Sequence, residues 1–268
     1  MADFSPRLIL FDSGMGGLTV ARAIREKIPA ARMLYAVDNG GFPYGALGDA
    51  ALAGRVAATI GAALERIGAC DGVVIACNTA STTVLDDLRR RYQVPIVGVV
   101  PAVKWAAEVS QTRQIGVLAT AATAGRPYLA DLIEKFAGGC RVHVHGAARL
   151  AEYAEADFGG EPAGDDLVRA EVEPLFSHPD AQFIDKIALG CTHYPLLLPQ
   201  LRRLFPGRDF LDPAEAVANR VATVALRGNG SEWTGSIPPD RTIFTAPPRR
   251  QVSGLAAEGL ACHGVMTI

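Results

Sequence analysis

The stretch Lys186–Leu197, Lys-Ile-Ala-Leu-Gly-Cys-Thr-His-Tyr-Pro-Leu-Leu, decides the fold predicted for this chain. A short apolar run ends at Gly190 and is followed by Cys191 and other polar residues. Such a run is typical of a buried strand in a parallel sheet, whose polar loop emerges at the carboxyl edge. Open α/β sheets bind their ligands at that edge. The stretch therefore predicts an α/β protein with a functional loop at Cys191.

A second stretch, Asp71–Ser81, repeats the pattern as Asp-Gly-Val-Val-Ile-Ala-Cys-Asn-Thr-Ala-Ser, with Cys77 at the exit of a strand and before a helix. Each half of the chain also has an earlier polar loop after its first strand, at Asp12 and at Thr120. The sequence thus predicts two pseudo-symmetric α/β domains, each a mostly parallel sheet flanked by helices. The active site is expected in the cleft between them, with one cysteine on either side.

Apolar runs alternate with helical patterns along most of the chain, which predicts parallel sheets with right-handed crossovers. The predicted strands are Leu8–Phe11, Met33–Val37, Val73–Ala76, Pro95–Val99, Ile115–Ala119, Val142–Val144 and Ile187–Leu189. The predicted helices are Leu18–Lys27, Asp49–Ile67, Leu85–Arg91, Tyr128–Phe136, Leu150–Phe158, Leu167–Phe176 and Ala214–Leu226. A loop at Arg227–Arg241 and closing strands at Thr242–Ala246 and Val265–Ile268 are expected to return to the first half. The predicted domains are residues 1–98 with 210–268, and residues 99–209.

Composition excludes several classes of protein. The 268 residues are 49% apolar and 20% charged, as in a soluble globular protein with ample core. A net charge of −2 gives no electrostatic footprint for nucleic acid or an anionic membrane, and no apolar run approaches a membrane span. The five cysteines form no dense framework, and the first residues pass straight into a strand without a signal-peptide pattern. We therefore expect reduced thiols and a cytoplasmic location.

Two thiols facing one carbon from opposite sides could remove and return a proton, which inverts a stereocentre without a cofactor. Cys77 and Cys191 are both predicted just before a helix, where amide groups favour the thiolate. The alternative for each is a buried strand-end cysteine that packs as a small hydrophobe. Their matched positions in two units favour the chemical interpretation.

Polar residues beside these cysteines could assist them. His193 is a candidate acid/base or partner of a thiolate, although a packing or capping role is the alternative. Asp12 and Ser13 could orient an ammonium group or a thiol, or could cap a helix. Neutral donors and acceptors suited to holding carboxylates, or to capping helices, are Asn78, Thr79, Thr120, Thr123 and Thr192.

Other chemistries fit the sequence less well. The Gly14–Gly17 run lacks the rest of a nucleotide-binding motif, and Cys140, His143 and His145 lack a second pair of metal ligands. A redox protein would favour a Cys-x-x-Cys pair, which is absent. A pyridoxal-phosphate racemase needs a Schiff-base lysine, and none of the four lysines lies in a recognisable phosphate-binding setting (Lys27, Lys104, Lys135, Lys186). We expect neither metal nor cofactor.

Four blocks of the sequence resemble the signature motifs of glutamate racemases, which belong to the cofactor-independent aspartate/glutamate racemase superfamily. The blocks are Asp12-Ser13-Gly14-x-Gly16-Gly17-Leu18, Pro43-Tyr44-Gly45, Ala76–Ser81 and Gly190–Pro195. The resemblance implies a bacterial enzyme that interconverts L- and D-glutamate and supplies D-glutamate for peptidoglycan. The alternatives are an aspartate or other amino-acid racemase of the same superfamily, or a non-catalytic module that binds a small molecule.

The resemblance also implies residue roles. Cys77 would deprotonate D-glutamate with help from Asp12, and Cys191 would deprotonate L-glutamate with help from His193. A further functional glutamate is implied, for which Glu155 is preferred over Glu152. The substrate pocket would be lined by Ser13, Pro43, Tyr44, Gly45, Asn78, Thr79, Thr120, Thr123 and Thr192. A homodimer is also expected.

Overall fold

The computed structural model describes residues 5–225, 240–250, 252 and 254–268, and for 261–263 the backbone alone. The chain divides into two compact units. The first comprises Met1–Val99 with Ala214–Ile268, and the second comprises Val100–Pro213. No helix in the described part of the chain is long and apolar enough to span a membrane.

Ten strands and eleven α-helices make up the regular structure of the described residues. The strands are β1 (Arg7–Asp12), β2 (Arg32–Val37), β3 (Gly72–Ile75), β4 (Ile96–Gly98), β5 (Gln114–Thr120), β6 (Arg141–Ala147), β7 (Lys186–Gly190), β8 (Asp209–Leu211), β9 (Arg241–Phe244) and β10 (Ala261–Val265). The helices are α1 (Leu18–Lys27), α2 (Asp49–Ile67), α3 (Asn78–Arg91), α4 (Val103–Val109), α5 (Ala121–Ala124), α6 (Pro127–Ala137), α7 (Leu150–Phe158), α8 (Asp165–Val172), α9 (Leu198–Leu204), α10 (Ala214–Ala225) and α11 (Gly254–Ala257).

Each unit is built on one parallel sheet. The first sheet has the order β10-β9-β2-β1-β3-β4, and the second has the order β6-β5-β7-β8. Every residue of β1 is buried, because helices cover both faces of a parallel sheet, and the four residues between Arg7 and Asp12 are all apolar. The predicted α/β class with two parallel sheets flanked by helices is confirmed.

Amphipathic helices supply the remaining core of each unit. In the first unit, α2 buries one stripe formed by Leu52, Val56, Ile60 and Ala63. These positions recur at the spacing that puts side chains on one face of a helix, so the other face is left to polar residues. In the second unit, α7 buries Leu150 and Ala154 in the same way, and the helix carries its glutamates on a different face.

Several predicted boundaries are wrong. Helix α3 begins at Asn78 and not at Leu85, since burial of Ala80 and Val84 outweighs the low helix propensity of its threonines and serine. The helix predicted over Leu167–Phe176 ends at Val172 and continues as a 3₁₀ segment over Glu173–Phe176, because Pro174 lacks the N–H that an α-helix needs.

The tail differs from its predicted pattern. Strand β9 begins at Arg241 and pairs with β2, while the last strand covers Ala261–Val265 and not Val265–Ile268. The predicted loop Arg227–Arg241 lies outside the described residues except for Asp240 and Arg241, as does Leu226. Strand β8 and helix α4 were not predicted. Both are short, and periodicity over so few residues does not separate them from loops.

Candidate active site

The first group of predicted site residues lies at the carboxyl edge of the first sheet. Strand β1 pairs with β2 through Asp12 and Val37, and with β3 through Phe11 and Ile75. Because all three strands run in the same direction, their last residues emerge at one edge. The polar loop after β1 and the loop carrying Cys77 are therefore neighbours.

Asp12, Ser13 and Cys77 form a buried polar line at this edge. The backbone N–H of Ser13 donates to Oδ1 of Asp12 at 2.6 Å, and the Ser13 hydroxyl lies 3.4 Å from the same oxygen. The Ser13 hydroxyl also lies 3.9 Å from the sulfur of Cys77. None of the three side chains is more than 6% exposed. Ser13 thus lies between Asp12 and the Cys77 thiol, and the role predicted for the two residues in orienting that thiol stays a prediction.

Cys77 occupies the N-cap position of α3, in an extended backbone conformation, and the helix begins at the next residue. The N–H groups of the first turn and the helix dipole favour a negative charge there. Asn78 is 1% exposed, and neither Oδ1 nor Nδ2 has a hydrogen-bond partner in the structure. A buried amide without partners costs free energy, so Asn78 is suited to a ligand that satisfies it. Thr79 is buried beside it.

The Pro43-Tyr44-Gly45 segment belongs to the same unit. Tyr44 is 2% exposed and packs in the apolar cluster that contains Cys77, with its ring centroid 6.2 Å from that of Phe11. Pro43 is half-buried and Gly45 is exposed. We name the eight predicted residues of this unit the Cys77 cluster: Asp12, Ser13, Pro43, Tyr44, Gly45, Cys77, Asn78 and Thr79.

The second group lies at the carboxyl edge of the second sheet, where β5 and β7 pair through Ala119 and Gly190. Thr120, the last residue of β5, and Cys191, which directly follows β7, therefore lie at the ends of two adjacent strands. Thr120 caps α5: its oxygen accepts from the Thr123 backbone N–H at 3.2 Å, and its hydroxyl donates to that of Thr123 at 2.9 Å. The capping alternative considered for Thr120 is thus realised in the structure, and Thr123 is fully buried beneath it.

Cys191, His193 and Glu155 form a second buried line. The Cys191 sulfur lies 4.0 Å from Nδ1 of His193, and Nε2 of the same ring lies 2.9 Å from Oε2 of Glu155. When Nε2–H donates to the carboxylate, a neutral ring presents unprotonated Nδ1 to the thiol. The ring can therefore accept a proton from Cys191. The side chains of His193 and Glu155 are 3% and 16% exposed.

Glu152, the other glutamate considered for this role, contacts Arg149 and not His193. Its carboxylate pairs with Arg149 at 3.6 Å, and the two side chains are 41% and 61% exposed, respectively. Glu155, one turn further along α7, reaches His193. We name the six predicted residues of this unit the Cys191 cluster: Thr120, Thr123, Glu155, Cys191, Thr192 and His193.

The prediction that a helix begins directly after Cys191 is wrong about where the helix begins. A 3₁₀ turn at Tyr194–Leu197 comes first, and α9 begins only at Leu198. Pro195 and Pro199 occupy the first turns of these two segments, where a missing N–H is tolerated. The helix-dipole argument for a thiolate is therefore weaker at Cys191 than at Cys77, and His193 and Glu155 supply the polar environment instead.

The hydroxyls of two fully buried tyrosines stabilise the loops beside the cysteines, a role that the sequence analysis predicted for neither. Tyr35 donates its hydroxyl to the Gly14 carbonyl at 2.5 Å, and Tyr194 donates to the Ala119 carbonyl at 3.0 Å. Burial raises the pKa of Tyr194, and the nearby Cys191 and Glu171 raise it further, so its hydroxyl remains a neutral donor. An aromatic residue in an apolar segment is interpreted as core in a sequence, and neither hydroxyl partner is close in sequence.

Asp38 was also missed. It follows β2 at the same edge as Asp12, and its side chain is fully buried. The signal that could have found it is a carboxylate directly after a buried strand, but the glycine-rich loop behind it suggested an ordinary turn.

The histidines of β6 have partners unrelated to either cysteine cluster. His143 Nε2 lies 3.0 Å from Oε1 of Gln114, and His145 Nε2 lies 2.8 Å from the Glu171 carbonyl. Cys140 lies 4.0 Å from the Ala107 carbonyl. Nothing in these contacts resembles a shared ligand set.

Comparison with known proteins relates the chain to one family. Residues 18–221 match the family model described as Asp/Glu/Hydantoin racemase. A glutamate racemase of Granulibacter bethesdensis is 48% identical over 94% of this chain and 93% of its own length. One of Brucella canis is 47% identical over 89% of this chain and 86% of its own. The crystal structure of Escherichia coli glutamate racemase with L-glutamate and the activator UDP-MurNAc-ala superposes with a TM-score of 0.91, at 34% identity over 98% of this chain and 99% of the other. The chain belongs to the Asp/Glu/Hydantoin racemase family.

Proposed function

We propose that this chain interconverts L- and D-glutamate by proton transfer between two thiols, without a cofactor. The observation that carries the proposal is that each unit presents one buried cysteine linked to its own acid/base group, through Ser13 in the first unit and directly in the second, at equivalent edges of two parallel sheets. Relatives named glutamate racemase, at 47–48% identity over most of the chain, support glutamate as the substrate.

The reaction balances without an added reactant. A thiolate takes the α-proton, the Cα–H bond breaks, and the electron pair is delocalised into the α-carboxylate. The opposite thiol then delivers its proton to the other face of Cα. The enzyme ends with its thiol and thiolate exchanged, and the reverse reaction restores them. The mechanism requires both sulfurs to reach the same Cα, and donors placed at the carboxylate to stabilise the carbanion.

In the Cys77 cluster, Cys77 is the proposed base for D-glutamate. Asp12 acts through Ser13, whose hydroxyl lies 3.9 Å from the thiol. The unpartnered amide of Asn78 is proposed to hydrogen bond to the substrate, together with Thr79 and the Pro43–Gly45 segment. Binding of the substrate would thus remove the cost of leaving that amide unpaired.

In the Cys191 cluster, Cys191 is the proposed base for L-glutamate. His193 accepts the thiol proton through Nδ1, and Glu155 stabilises the ring cation that forms. Thr120, Thr123 and Thr192 are proposed to hold the substrate, with Thr120 and Thr123 presented by the capped turn of α5.

The cellular setting is proposed from the same evidence. Supply of D-glutamate for peptidoglycan implies a cytoplasmic enzyme, and the reduced thiols of Cys70, Cys77, Cys140 and Cys191 suit that reducing compartment. The two compact units are proposed to be its two domains. We also propose a homodimer, supported by Trp105 and Val109, which are 43% and 40% exposed on one face of α4. Sedimentation equilibrium tests the dimer.

Cysteine variants test the mechanism. Cys77→Ala and Cys191→Ala should each abolish racemisation, because one base cannot act on both faces of Cα. Cys70→Ser and Cys140→Ser, which change the other two cysteines whose side chains the structure describes, should retain it. Polarimetry should detect racemisation of glutamate by the purified protein, after chelator treatment and with no pyridoxal phosphate. Aspartate should react at least about tenfold more slowly, since it lacks one methylene and misplaces a carboxylate.

Serine variants assign each thiol to one enantiomer. A glutamate with chloride on Cβ loses its α-proton and chloride to give an enamine, which hydrolyses to a 2-oxo acid and ammonia. This reaction needs one base only. Cys77→Ser should eliminate chloride from the L-substrate through Cys191, and Cys191→Ser should do so from the D-substrate through Cys77. Elimination from the same enantiomer by both variants would contradict the two-thiol mechanism.

A further inference from the structure

Asp38 is a buried carboxylate that accepts hydrogen bonds from three side chains. It is fully buried, and Arg55 donates to both of its oxygens, from Nε at 2.8 Å and from Nη2 at 2.6 Å. The hydroxyls of Tyr44 and Thr245 donate to it as well. An ionised carboxylate offers about four acceptor positions, so these donors saturate it. We call these four residues the Asp38 clamp.

The donors come from three separate parts of the first unit. Arg55 lies on α2, Thr245 directly follows β9, and Tyr44 lies in the Pro43-Tyr44-Gly45 segment. The two-pronged contact from Arg55 compensates the charge of Asp38, which is needed because an unpaired buried carboxylate is costly. Arg55 alone balances the charge of Asp38, so the hydrogen bonds from Tyr44 and Thr245 are not needed for that purpose. Their hydroxyls instead fix two flanking segments to one charged centre.

The chain directly after Asp38, Asn39–Gly41, packs closely against the clamp and the segment that carries Thr245. At Gly41, an added Cβ would lie 2.4 Å from Nε of Arg55 and 2.9 Å from Oδ2 of Asp38, so no larger residue fits without displacing the ion pair. The Thr245 hydroxyl also accepts from the Gly40 N–H at 3.1 Å. Asn39 makes a reciprocal pair of hydrogen bonds with the backbone of Ala246, at 2.8 and 3.0 Å.

Tyr44 connects the clamp to the Cys77 cluster. Its ring packs in the same apolar cluster as Cys77 and Phe11, while its hydroxyl points to Asp38. Burial raises the pKa of Tyr44, with further contributions from the charges of Asp38 and Cys77, so the hydroxyl stays protonated as a donor. The backbone that follows is tied by two turn hydrogen bonds, Ala46 N–H to the Pro43 carbonyl and Leu47 N–H to the Tyr44 carbonyl, both 3.1 Å. Movement of Tyr44 would therefore move the Pro43–Gly45 segment.

We infer that Asp38, Arg55 and Thr245 are positioning residues for substrate binding, which hold Tyr44 and the Pro43–Gly45 segment in place beside Cys77. The inference rests on the proposed function, in which that segment contacts glutamate. Its new content is that a residue of the tail, Thr245, helps to set substrate affinity although its side chain belongs to neither cysteine cluster. Loss of the clamp leaves the thiols intact and lets the segment shift. The affinity for substrate falls more than the rate of proton transfer.

Thr245→Val tests the inference, because it keeps the shape of the side chain and removes the hydroxyl. One hydrogen bond to a buried charge corresponds to a factor of about 10–100 in an equilibrium constant. We expect KM for both enantiomers of glutamate to rise about tenfold, at the lower end of that range, because Arg55 remains. The value of kcat should stay within about threefold. Thr245→Ser restores the hydroxyl and should restore KM.

Thr223→Val is the matched control. Thr223 lies exposed on α10 of the same unit, and among the described residues its hydroxyl bonds to the Asn219 carbonyl of its own helix at 2.9 Å. This variant should leave KM and kcat unchanged. Measurements are made well below the melting temperature of each variant, so that a loss of stability alone changes neither constant.

A second arm measures the coupling between Thr245 and Tyr44. If Thr245 acts through Asp38 on Tyr44, then Thr245→Val should raise KM much less in a Tyr44→Phe background than in the wild type. The positioning role is overturned if KM is unchanged in Thr245→Val, or if the substitution raises KM equally in the wild-type and Tyr44→Phe backgrounds. In either case, racemisation of glutamate by the wild-type protein leaves the proposed function intact. A wild-type protein that does not racemise glutamate overturns both.

Discussion

Replacement of Glu155 by glutamine tests whether the chain of contacts from Glu155 through His193 to Cys191 contributes to proton transfer. The amide of the Glu155→Gln variant would keep an oxygen that can accept from Nε2 of His193, which the carboxylate now contacts at 2.9 Å. The substitution removes the negative charge and replaces the other carboxylate oxygen with an NH₂ group, while the side chain keeps its size and shape. The geometry of the line is therefore preserved while its electrostatic contribution is lost.

The magnitude follows from the burial of the pair. With His193 3% and Glu155 16% exposed, water screens their interaction only weakly. A hydrogen bond to a charged group contributes about 2 kcal/mol, and charge assistance accounts for about half of it. Loss of about 1 kcal/mol of transition-state stabilisation lowers kcat/KM about fivefold. Glu155→Ala removes the whole interaction and should lower kcat/KM about 30-fold.

The assay must separate the two thiols. L- and D-glutamate have equal free energies, so kcat/KM must fall by the same factor in both directions and racemisation cannot reveal which thiol is affected. Elimination from the β-chloro substrates can reveal which thiol is affected, because each enantiomer reacts with one thiol only. In Glu155→Gln, elimination from the L-enantiomer should fall about fivefold, whereas elimination from the D-enantiomer, which uses Cys77, should be unchanged.

Glu152→Gln is the matched control, because Glu152 lies on the same helix and pairs with Arg149 near the surface at 3.6 Å. Exposed pairs contribute little, so this variant should change kcat/KM by less than about twofold. The reasoning is refuted if Glu152→Gln slows the enzyme as much as Glu155→Gln does, or if Glu155→Gln slows elimination from both enantiomers equally.

Two further predictions concern groups outside the clusters. Burial raises the pKa of Cys70 to about 11. At pH 8, Cys70 of the native protein should therefore react with iodoacetamide at least about a hundredfold more slowly than a thiol in free solution. Mass spectrometry of labelled peptides measures this rate, and rapid labelling of the native protein would contradict the prediction. Burial alone would raise the pKa of Asp185, but hydrogen bonds from Ser110, Gln111 and Thr112 outweigh it and lower that pKa. This stabilisation is present above the unfolded value of about 3.9 and is lost as pH falls through the lower folded value. Urea unfolding should therefore show Asp185→Asn destabilised by about 1 kcal/mol at pH 7 but by much less at about pH 2.5, and an equal difference at both would refute the assignment.

The sequence by itself determined where chemistry could occur. The apolar runs of β1 and β7 predict buried parallel strands, because both faces of such strands must be apolar. The polar residues directly after them then lie at a ligand-binding edge whatever the order of the strands. For this reason the positions of Asp12 and Cys191 could be predicted from local pattern.

Contacts between distant residues were decided only by the tertiary structure. Glu152 and Glu155 are equivalent in sequence, and only the packing of α7 against the loop after β7 brings Glu155, and not Glu152, to His193. The meeting of Asp38 with Thr245 depends on β9 pairing with β2, in the register Val37 to Phe244. Local periodicity reports which face of an element is buried, but not which element covers it. That choice is made by the packing of the whole unit, where strand register and core contacts are set together.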